Sequence, residues 1–178
     1  SNSKKDICSV VVDGFGDRST ASISQIVDPT EIYELWECLY PVSLGLFYSS
    51  ITDYLGFPIN EGEYKVMGLA SYGDSNSKSA KLVRELMDWD STSNKLISDM
   101  SYFDYHLSTS NSFSTKLEEL LGPARNPFAR LILEDNDFQR WANIARGAQD
   151  LTIYLLGKIF AHAHKITNSR RFLFSGGV

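Results

Sequence analysis

The distribution of apolar and polar positions along the chain predicts an α/β protein. Residues 7–12 are apolar and β-branched, with charged residues before them and glycine after, which is typical of a buried strand. Residues 19–26 alternate polar with small or apolar side chains, so we expect them to return antiparallel to the first strand as a β-hairpin. Residues 171–174 predict a last strand. We expect it to lie parallel beside the first strand, which is then central in a mixed sheet.

Helical signals dominate the stretch between these strands. The sequence Asp28-Pro29-Thr30 predicts a helix start, and we expect that helix to continue to Leu39. The clearest helix extends from Asp135 to about Lys165, and we expect it to pack across the sheet. Other predicted elements are helices at about 43–55, 79–89 and 114–121, a short helix or turn at 62–70 and a short strand at 96–97.

These elements predict one partial domain over residues 1–178, with a mainly helical insertion at about 30–122. Apolar residues make up 43% of the 178 residues and charged residues 22%, which is the composition of a globular chain. The net charge of -5 argues against a broad nucleic-acid-binding face. No apolar run is long enough to cross a membrane, and no secretion signal is visible. The two cysteines, Cys8 and Cys38, lack metal-binding spacing, so we expect them to be reduced and structural in a cytoplasmic protein.

The turn after the first strand, Asp13-Gly14-Phe15-Gly16, is the first candidate site. A carboxylate at the end of a buried strand is positioned by rigid backbone. Gly14 and Gly16 permit positive φ and would leave backbone N–H groups open to an anion or a metal-bound ligand. The alternative interpretation is a simple hairpin turn in which Asp13 is a turn-forming residue.

Two glycine-flanked segments are further candidates. Glu63 and Lys65 lie two apart between glycines, as in a loop that handles anions, although an exposed helix with an ordinary ion pair has the same spacing. Gly176 and Gly177 follow the last strand and would allow close backbone approach to a nucleotide. Glycines also end many strands for packing reasons alone.

Arginine and histidine give weaker signals. Arg125 stands in a stiff loop between two prolines, where it could clamp a phosphate or carboxylate or could anchor the loop by bonding carbonyl groups. His162 and His164 are two apart, so a helix would direct them to different faces and away from a common metal. We expect these two histidines and His106 at surface or helix-end positions.

Three segments in a fixed order resemble one family. They are residues 41–50 (PVSLGLFYSS), 55–57 (LGF) and 62–73 (GEYKVMGLASYG). This pattern is similar to that of the carbamoyltransferases of the nodulation-protein-U type, which are biosynthetic enzymes. The DGxG turn, an LxGPxR segment and the final GGV agree with it, so the resemblance covers nearly the whole chain.

The resemblance implies a fold, a reaction and partners. The fold would be part of an actin-like ATPase (RNase H-like) domain, with an N-terminal hairpin on a mixed sheet. These enzymes transfer a carbamoyl group from carbamoyl phosphate, using ATP, to a hydroxyl of a sugar or small-molecule acceptor. Carbamoyl-adenylate is the intermediate, made by a C-terminal domain of the same chain. The actin-like domain holds a divalent metal such as iron.

The resemblance also implies roles for particular residues. It makes Asp13 a metal ligand and places Glu63 and Lys65 as catalytic residues near the carbamoyl group or the nucleotide. The residues that it implies in cofactor binding are Gly14, Gly16, Gly176 and Gly177.

The sequence departs from the family by omission. The histidine-rich metal motif expected before the first strand is absent, as is the adenylate-forming domain. We therefore expect the chain to be a piece of a longer enzyme, inactive alone and without a tightly bound cofactor. The alternative is a non-catalytic nucleotide-binding or regulatory module of the same fold. A sugar kinase would need an earlier phosphate-binding lobe, and a tRNA-modifying protein would lack the EYKVMGLA stretch.

Overall fold

A computed structural model describes residues 7–28 and 30–178, which form two compact units. The first unit contains the described residues up to Leu46 together with Trp89–Ile97 and Tyr154–Val178, and the second contains Phe47–Asp88 and Ser98–Ile153. The strands are β1 (Ile7–Val12), β2 (Ser19–Asp28), β3 (Glu31–Leu39), β4 (Met87–Asp90), β5 (Lys95–Ser98) and β6 (Arg171–Ser175). The helices are α1 (Leu44–Tyr54), α2 (Glu63–Ala70), α3 (Lys78–Arg84), α4 (Thr115–Leu121) and α5 (Phe138–Thr167).

A mixed sheet with the order β3-β2-β1-β6 organises the first unit. β1 pairs antiparallel with β2 and parallel with β6, so the prediction of a central first strand beside a parallel last strand is confirmed. Alternate residues of β1, namely Cys8, Val10 and Val12, are fully buried. Strands β3 and β6 form the two edges of this sheet in the described part of the chain. The α/β class with a mixed sheet follows.

The helix predicted from Asp28 to Leu39 is wrong, because this stretch forms strand β3, antiparallel to β2. Residues 31–35 of the strand are exposed, Trp36 and Glu37 are half-buried and Cys38 is buried, while three register irregularities interrupt the pairing with β2. Pro29, part of the supposed helix start, lies outside the described residues. The predicted insertion at 30–122 therefore includes a strand of the main sheet as well as β4 and β5.

The remaining elements follow their predictions with one further exception. The helix predicted over 79–89 ends at Arg84, and strand β4 begins at Met87 and pairs with β5. Trp89 is buried from this strand and not from a helix. Helix α5 begins at Phe138, three residues after the predicted start, and ends at Thr167. No helix in residues 7–28 and 30–178 is both long enough and apolar enough to cross a bilayer.

Two glycines allow close helix packing in the second unit. A Cβ atom added at Gly73 would lie 2.2 Å from the carbonyl oxygen of Ala142 in α5. One added at Gly147 of α5 would lie 2.6 Å from the carbonyl oxygen of Ala80 in α3. The loop after α2 is held in the same place by a hydrogen bond from the Asp74 backbone N–H to Asn143 Oδ1 (2.7 Å).

In the first unit, His162 belongs to an aromatic cluster with Trp36 and Trp89. The His162 ring lies 6.1 Å from the Trp36 ring and 5.5 Å from the Trp89 ring, between centroids. Its Nδ1 atom is buried without a hydrogen-bond partner among the described residues. His162 and His106 are half-buried with a buried Nδ1 atom, so the expectation of surface or helix-end positions holds only in part for them, whereas His164 is exposed near the end of α5.

Substitution of Gly73 by alanine should destabilise the protein. The new methyl group would overlap the Ala142 carbonyl, and we expect a loss of about 1–3 kcal/mol in the free energy of unfolding, as for other overpacked sites. Gly68→Ala is the matched control, because no atom lies within 4 Å of a Cβ added there. In this control, the free energy of unfolding should stay constant or rise by up to about 1 kcal/mol, since alanine favours helix. Urea unfolding of both variants measures the difference, and equal stabilities would contradict this account of Gly73.

The stability of the protein should fall as the pH is lowered through the ordinary titration range of histidine. Burial, and secondarily the charge of Lys165, hold the pKa of His162 below its usual value of 6.5. The unfolded chain therefore binds a proton more readily at His162 than the folded chain does. The stability that comes from keeping His162 neutral is fully present above a pH of about 6.5 and is lost as the pH falls below that value. Thermal unfolding between pH 8 and pH 5 should show a smaller pH dependence for His162→Gln than for the unsubstituted protein, and an equal pH dependence of the two would contradict this account.

Candidate functional site

Asp13 and the two C-terminal glycines meet at one end of the sheet in the first unit. Asp13 directly follows β1, and Gly176 and Gly177 directly follow β6, its parallel neighbour. A Cβ atom added at Gly177 would lie 3.1 Å from Asp13 Oδ1. The structure thus brings together two of the predicted segments, which come from opposite ends of the described chain.

Gly176 is required by this close approach. It has a φ of +120°, and a Cβ atom added to it would lie 1.8 Å from the Val12 carbonyl oxygen. No other residue type fits there without movement of the backbone. The packing explanation for this glycine therefore holds whether or not a nucleotide also approaches it.

The first turn of α1 fixes the Asp13 turn from the opposite side. Ser43 is fully buried, and its Oγ accepts a hydrogen bond from the Leu46 N–H (3.0 Å) and donates one to the Gly14 carbonyl (2.7 Å). A Cβ atom added at Gly45 would lie 2.6 Å from the Gly14 nitrogen. Thr20 Oγ1 donates to the carbonyl of Val42 (2.7 Å), which ties β2 to the segment that leads into the helix.

Ser43 and Gly45 are not among the residues that the sequence predicts for the site. Ser43 and Gly45 stand in the PVSLG segment, where serine before an apolar run is a signal for the start of a helix. That signal predicts the helix start but not its partner, because contact with the Gly14 turn depends on the tertiary fold.

The backbone of the two turn glycines differs from the prediction, while their part in cofactor binding stays a prediction. Neither Gly14 nor Gly16 has a positive φ. The Gly14 N–H donates to Asp13 Oδ1 (2.7 Å) and the Gly16 N–H donates to the Ser19 carbonyl (3.0 Å), so both donors are already used within the hairpin. Asp13 itself is exposed, and its Oδ2 accepts no hydrogen bond from the residues that the structure describes.

Glu63 and Lys65 lie in the second unit, on the first turn of α2. The carboxylate of Glu63 accepts hydrogen bonds from Ser49 Oγ (3.2 Å) and from the backbone N–H groups of Asn60 (2.9 Å) and Gly62 (3.1 Å). These bonds satisfy donors at the start of the helix and tie it to α1. Glu63 therefore has a clear structural part in fixing the start of α2, the helix that carries Lys65.

Lys65 is exposed, and no carboxylate in the described residues lies within ion-pair distance of its ammonium group. The Nζ atom lies 5.8 Å from the centroid of the Phe57 ring and 5.8 Å from that of the Tyr64 ring. The structure thus shows the exposed helix of the alternative interpretation in place of an anion-handling loop, but without its ion pair among the described residues. The ammonium group is held beside aromatic rings and is available to an anion.

Arg125 anchors its loop by bonding carbonyl groups, which is the second of the two interpretations that its sequence context left open. The guanidinium donates to the carbonyl oxygens of Leu55 (2.5 Å), Ala129 (2.6 Å) and Gly56 (3.0 Å) and stacks on Phe57 at 4.8 Å. It is only 9% exposed, so these carbonyl groups take the place of water around the charge.

The described residues do not by themselves form a metal site. No group of three histidine, cysteine, aspartate or glutamate side chains lies close enough together within residues 7–28 and 30–178 to hold an ion. Asp13 supplies one carboxylate. The two cysteines are free and buried, and burial raises the pKa of both thiols, which disfavours the thiolate that binds metals.

The chain alone should bind divalent metals weakly, because a single carboxylate does not hold a transition metal tightly. We expect calorimetric titration with Fe²⁺, Mn²⁺ or Zn²⁺ to show no tight one-to-one binding. A tight site that is lost in Asp13→Asn would contradict this expectation, and retention of binding in that variant would point to a different site.

Comparison with known proteins identifies the family of the chain. Residues 3–178 match the family described as Carbamoyltransferase N-terminus. An uncharacterized protein of Synechocystis sp., sll1178, is 31% identical over 169 residues, which is 94% of this chain and 26% of that protein. The chain therefore spans about a quarter of the length of this relative. Because the family match extends over nearly the whole sequence, the chain belongs to the family of carbamoyltransferase N-terminal domains.

Proposed function

We propose that this chain is part of the transfer domain of an ATP-dependent O-carbamoyltransferase. In this proposal a longer protein takes a carbamoyl group from carbamoyl phosphate, by way of carbamoyl-adenylate, to a hydroxyl group of a sugar or other small molecule. The observation that carries the proposal is the family match over residues 3–178, together with the meeting of Asp13 and Gly177 at one sheet end. This end of the sheet is where α/β folds commonly bind ligands.

The chemistry assigns a task to each part of the site. The acceptor oxygen attacks the carbamoyl carbon, a new C–O bond forms, and the bond from that carbon to the adenylate oxygen breaks, with AMP as the leaving group. The hydroxyl proton must pass to a base. We propose that the exposed carboxylate of Asp13 orients the reacting groups and that the backbone at Gly176 and Gly177 lies along the nucleotide.

Lys65, which lies in the second unit, is a candidate catalytic residue for this reaction. Its unpaired ammonium group suits the charge of a phosphate or of the departing AMP. Glu63 stays a candidate catalytic residue, and its three hydrogen bonds support a role in positioning Lys65 at the start of α2.

An exposed aromatic pair stands beside Asp13 and supports a ring-shaped acceptor. Phe15 is 58% exposed, and its ring packs edge-to-face on that of Tyr40 with the centroids 4.9 Å apart. The apolar face of a sugar ring packs well on such an aromatic surface. We propose that this pair flanks the acceptor.

Several finer features belong to the same proposal. They are membership of the nodulation-protein-U subtype, an actin-like domain, an adenylate-forming domain elsewhere in the longer protein, and a divalent metal for which Asp13 is one ligand. The metal, when bound, would supply Lewis-acid polarisation of the carbonyl. A cytoplasmic location is part of the proposal because the two cysteines are free and buried, as is usual in a reducing compartment.

The proposal is tested in the longer protein that contains this chain. Incubation with ATP, carbamoyl phosphate and a panel of sugars should release pyrophosphate and increase the mass of one acceptor by a carbamoyl group. Asp13→Asn should lower the rate of transfer by about a hundredfold or more, as is typical when a charged group next to the reacting atoms is lost. Asp17→Asn is the matched control, since this exposed carboxylate lies in the same turn.

The outcomes separate this proposal from the alternative. If Asp13→Asn and Asp17→Asn transfer the carbamoyl group equally fast, the assignment of Asp13 is wrong. If the longer protein binds ATP but neither releases pyrophosphate nor carbamoylates an acceptor, a non-catalytic nucleotide-binding module is the better description.

A further inference from the structure

The GEYKVMGLASYG segment builds one wall of a cleft that lies entirely within the second unit. The cleft has a volume of about 390 Å³. Its lining residues are Phe57, Lys65, Gly68, Leu69, Tyr72, Leu131, Leu133 and Phe138. This volume is in the range of small-molecule sites, which are mostly apolar with a few polar groups that orient the ligand.

The aromatic walls of the cleft are held in place by neighbours. The Tyr72 and Phe138 rings pack edge-to-face with the centroids 5.7 Å apart, and Gln139 Nε2 donates a hydrogen bond to the Tyr72 carbonyl (3.1 Å). The Phe57 ring is stacked against the guanidinium of Arg125 at 4.8 Å. A preformed aromatic site of this kind costs a ligand little reorganisation.

Gly68 keeps the cleft open. It lies in α2, where glycine lowers helix stability by about 1 kcal/mol relative to alanine. No atom lies within 4 Å of a Cβ added at this position, so neither packing nor a special backbone angle accounts for the glycine. A side chain here would instead project into open space at the cleft.

Charge determines the kind of ligand. Lys65 is the one charged residue that lines the cleft, and its ammonium group stands at the aromatic rim without a carboxylate partner among the described residues. An apolar body therefore fits the walls and a negative group fits Lys65. We propose that this cleft binds an organic anion with a flat ring system. This inference goes beyond the transferase proposal and does not need that reaction to be correct.

The test uses this chain and calorimetric titration with three probes. 1-Naphthoate should bind, 1-naphthylmethylammonium should bind at least about threefold more weakly because its charge is opposite, and AMP carries the ring and anion of a nucleotide. Tighter binding of AMP identifies a nucleotide as the source of the anion, and tighter binding of 1-naphthoate identifies a ring-bearing carboxylic acid.

Two variants locate the binding. Gly68→Leu should fill the cleft and weaken the better anion by about tenfold or more, as expected when most of a ring's apolar contact is lost. Gly157→Leu is the matched control, because this exposed helical glycine also has no atom within 4 Å of an added Cβ. Thermal unfolding checks that both variants are folded.

Lys65→Gln keeps the proposal testable if Gly68→Leu does not fold. This variant should retain binding of the ring system but lose the preference for 1-naphthoate over 1-naphthylmethylammonium. The proposal is overturned if neither anion binds, if the cation binds as tightly as the anions, or if Gly68→Leu and Gly157→Leu bind with equal affinity. None of these measurements involves carbamoyl transfer, so their failure leaves the assignments of Asp13, Gly176 and Gly177 unaffected and bears only on the phosphate-binding part proposed for Lys65.

Discussion

The approach of Gly176 to the Val12 carbonyl is the contact on which the candidate site in the first unit depends. Parallel pairing of β1 with β6 brings the two strand ends together, and a side chain at Gly176 would force them apart. Asp13 follows Val12 directly, so its position relative to Gly177 is set by the same contact. The sheet therefore positions the Asp13 carboxylate with backbone alone on the side of Gly176 and Gly177.

A second layer of contacts makes this arrangement rigid. Ser43 uses its one hydroxyl both to begin α1 and to hold the Gly14 carbonyl, while Gly45 lets the helix touch the turn. The candidate carboxylate is thus supported by β1, β6 and α1. Rigid support of this kind is what a reacting group needs, since small displacements reduce catalysis strongly.

The sequence predicts the parts of the fold in which one local signal dominates. Apolar runs at 7–12 and 171–174 identify β1 and β6, and ends of parallel strands meet by geometry, so Asp13 and the final glycines could be placed together in advance. Strand β3 could not be predicted in this way, because the glutamates and leucines in residues 31–39 favour a helix locally. These residues form a strand because the open edge of β2 offers them a pairing partner. Arg125 shows the same limit, since its carbonyl partners come from the distant end of α1.

The outer strands of the first unit have a consequence for handling the protein. β6 lies at the edge of the sheet with Leu173 55% and Phe174 47% exposed, and β3 at the other edge exposes Ile32 and Tyr33. Edge strands with exposed apolar side chains are templates for intermolecular strand addition. These two edge strands will thus determine how readily the isolated chain aggregates. Dilute solutions at low ionic strength favour the monomer, because the net charge of -5 is least screened there and the molecules repel one another.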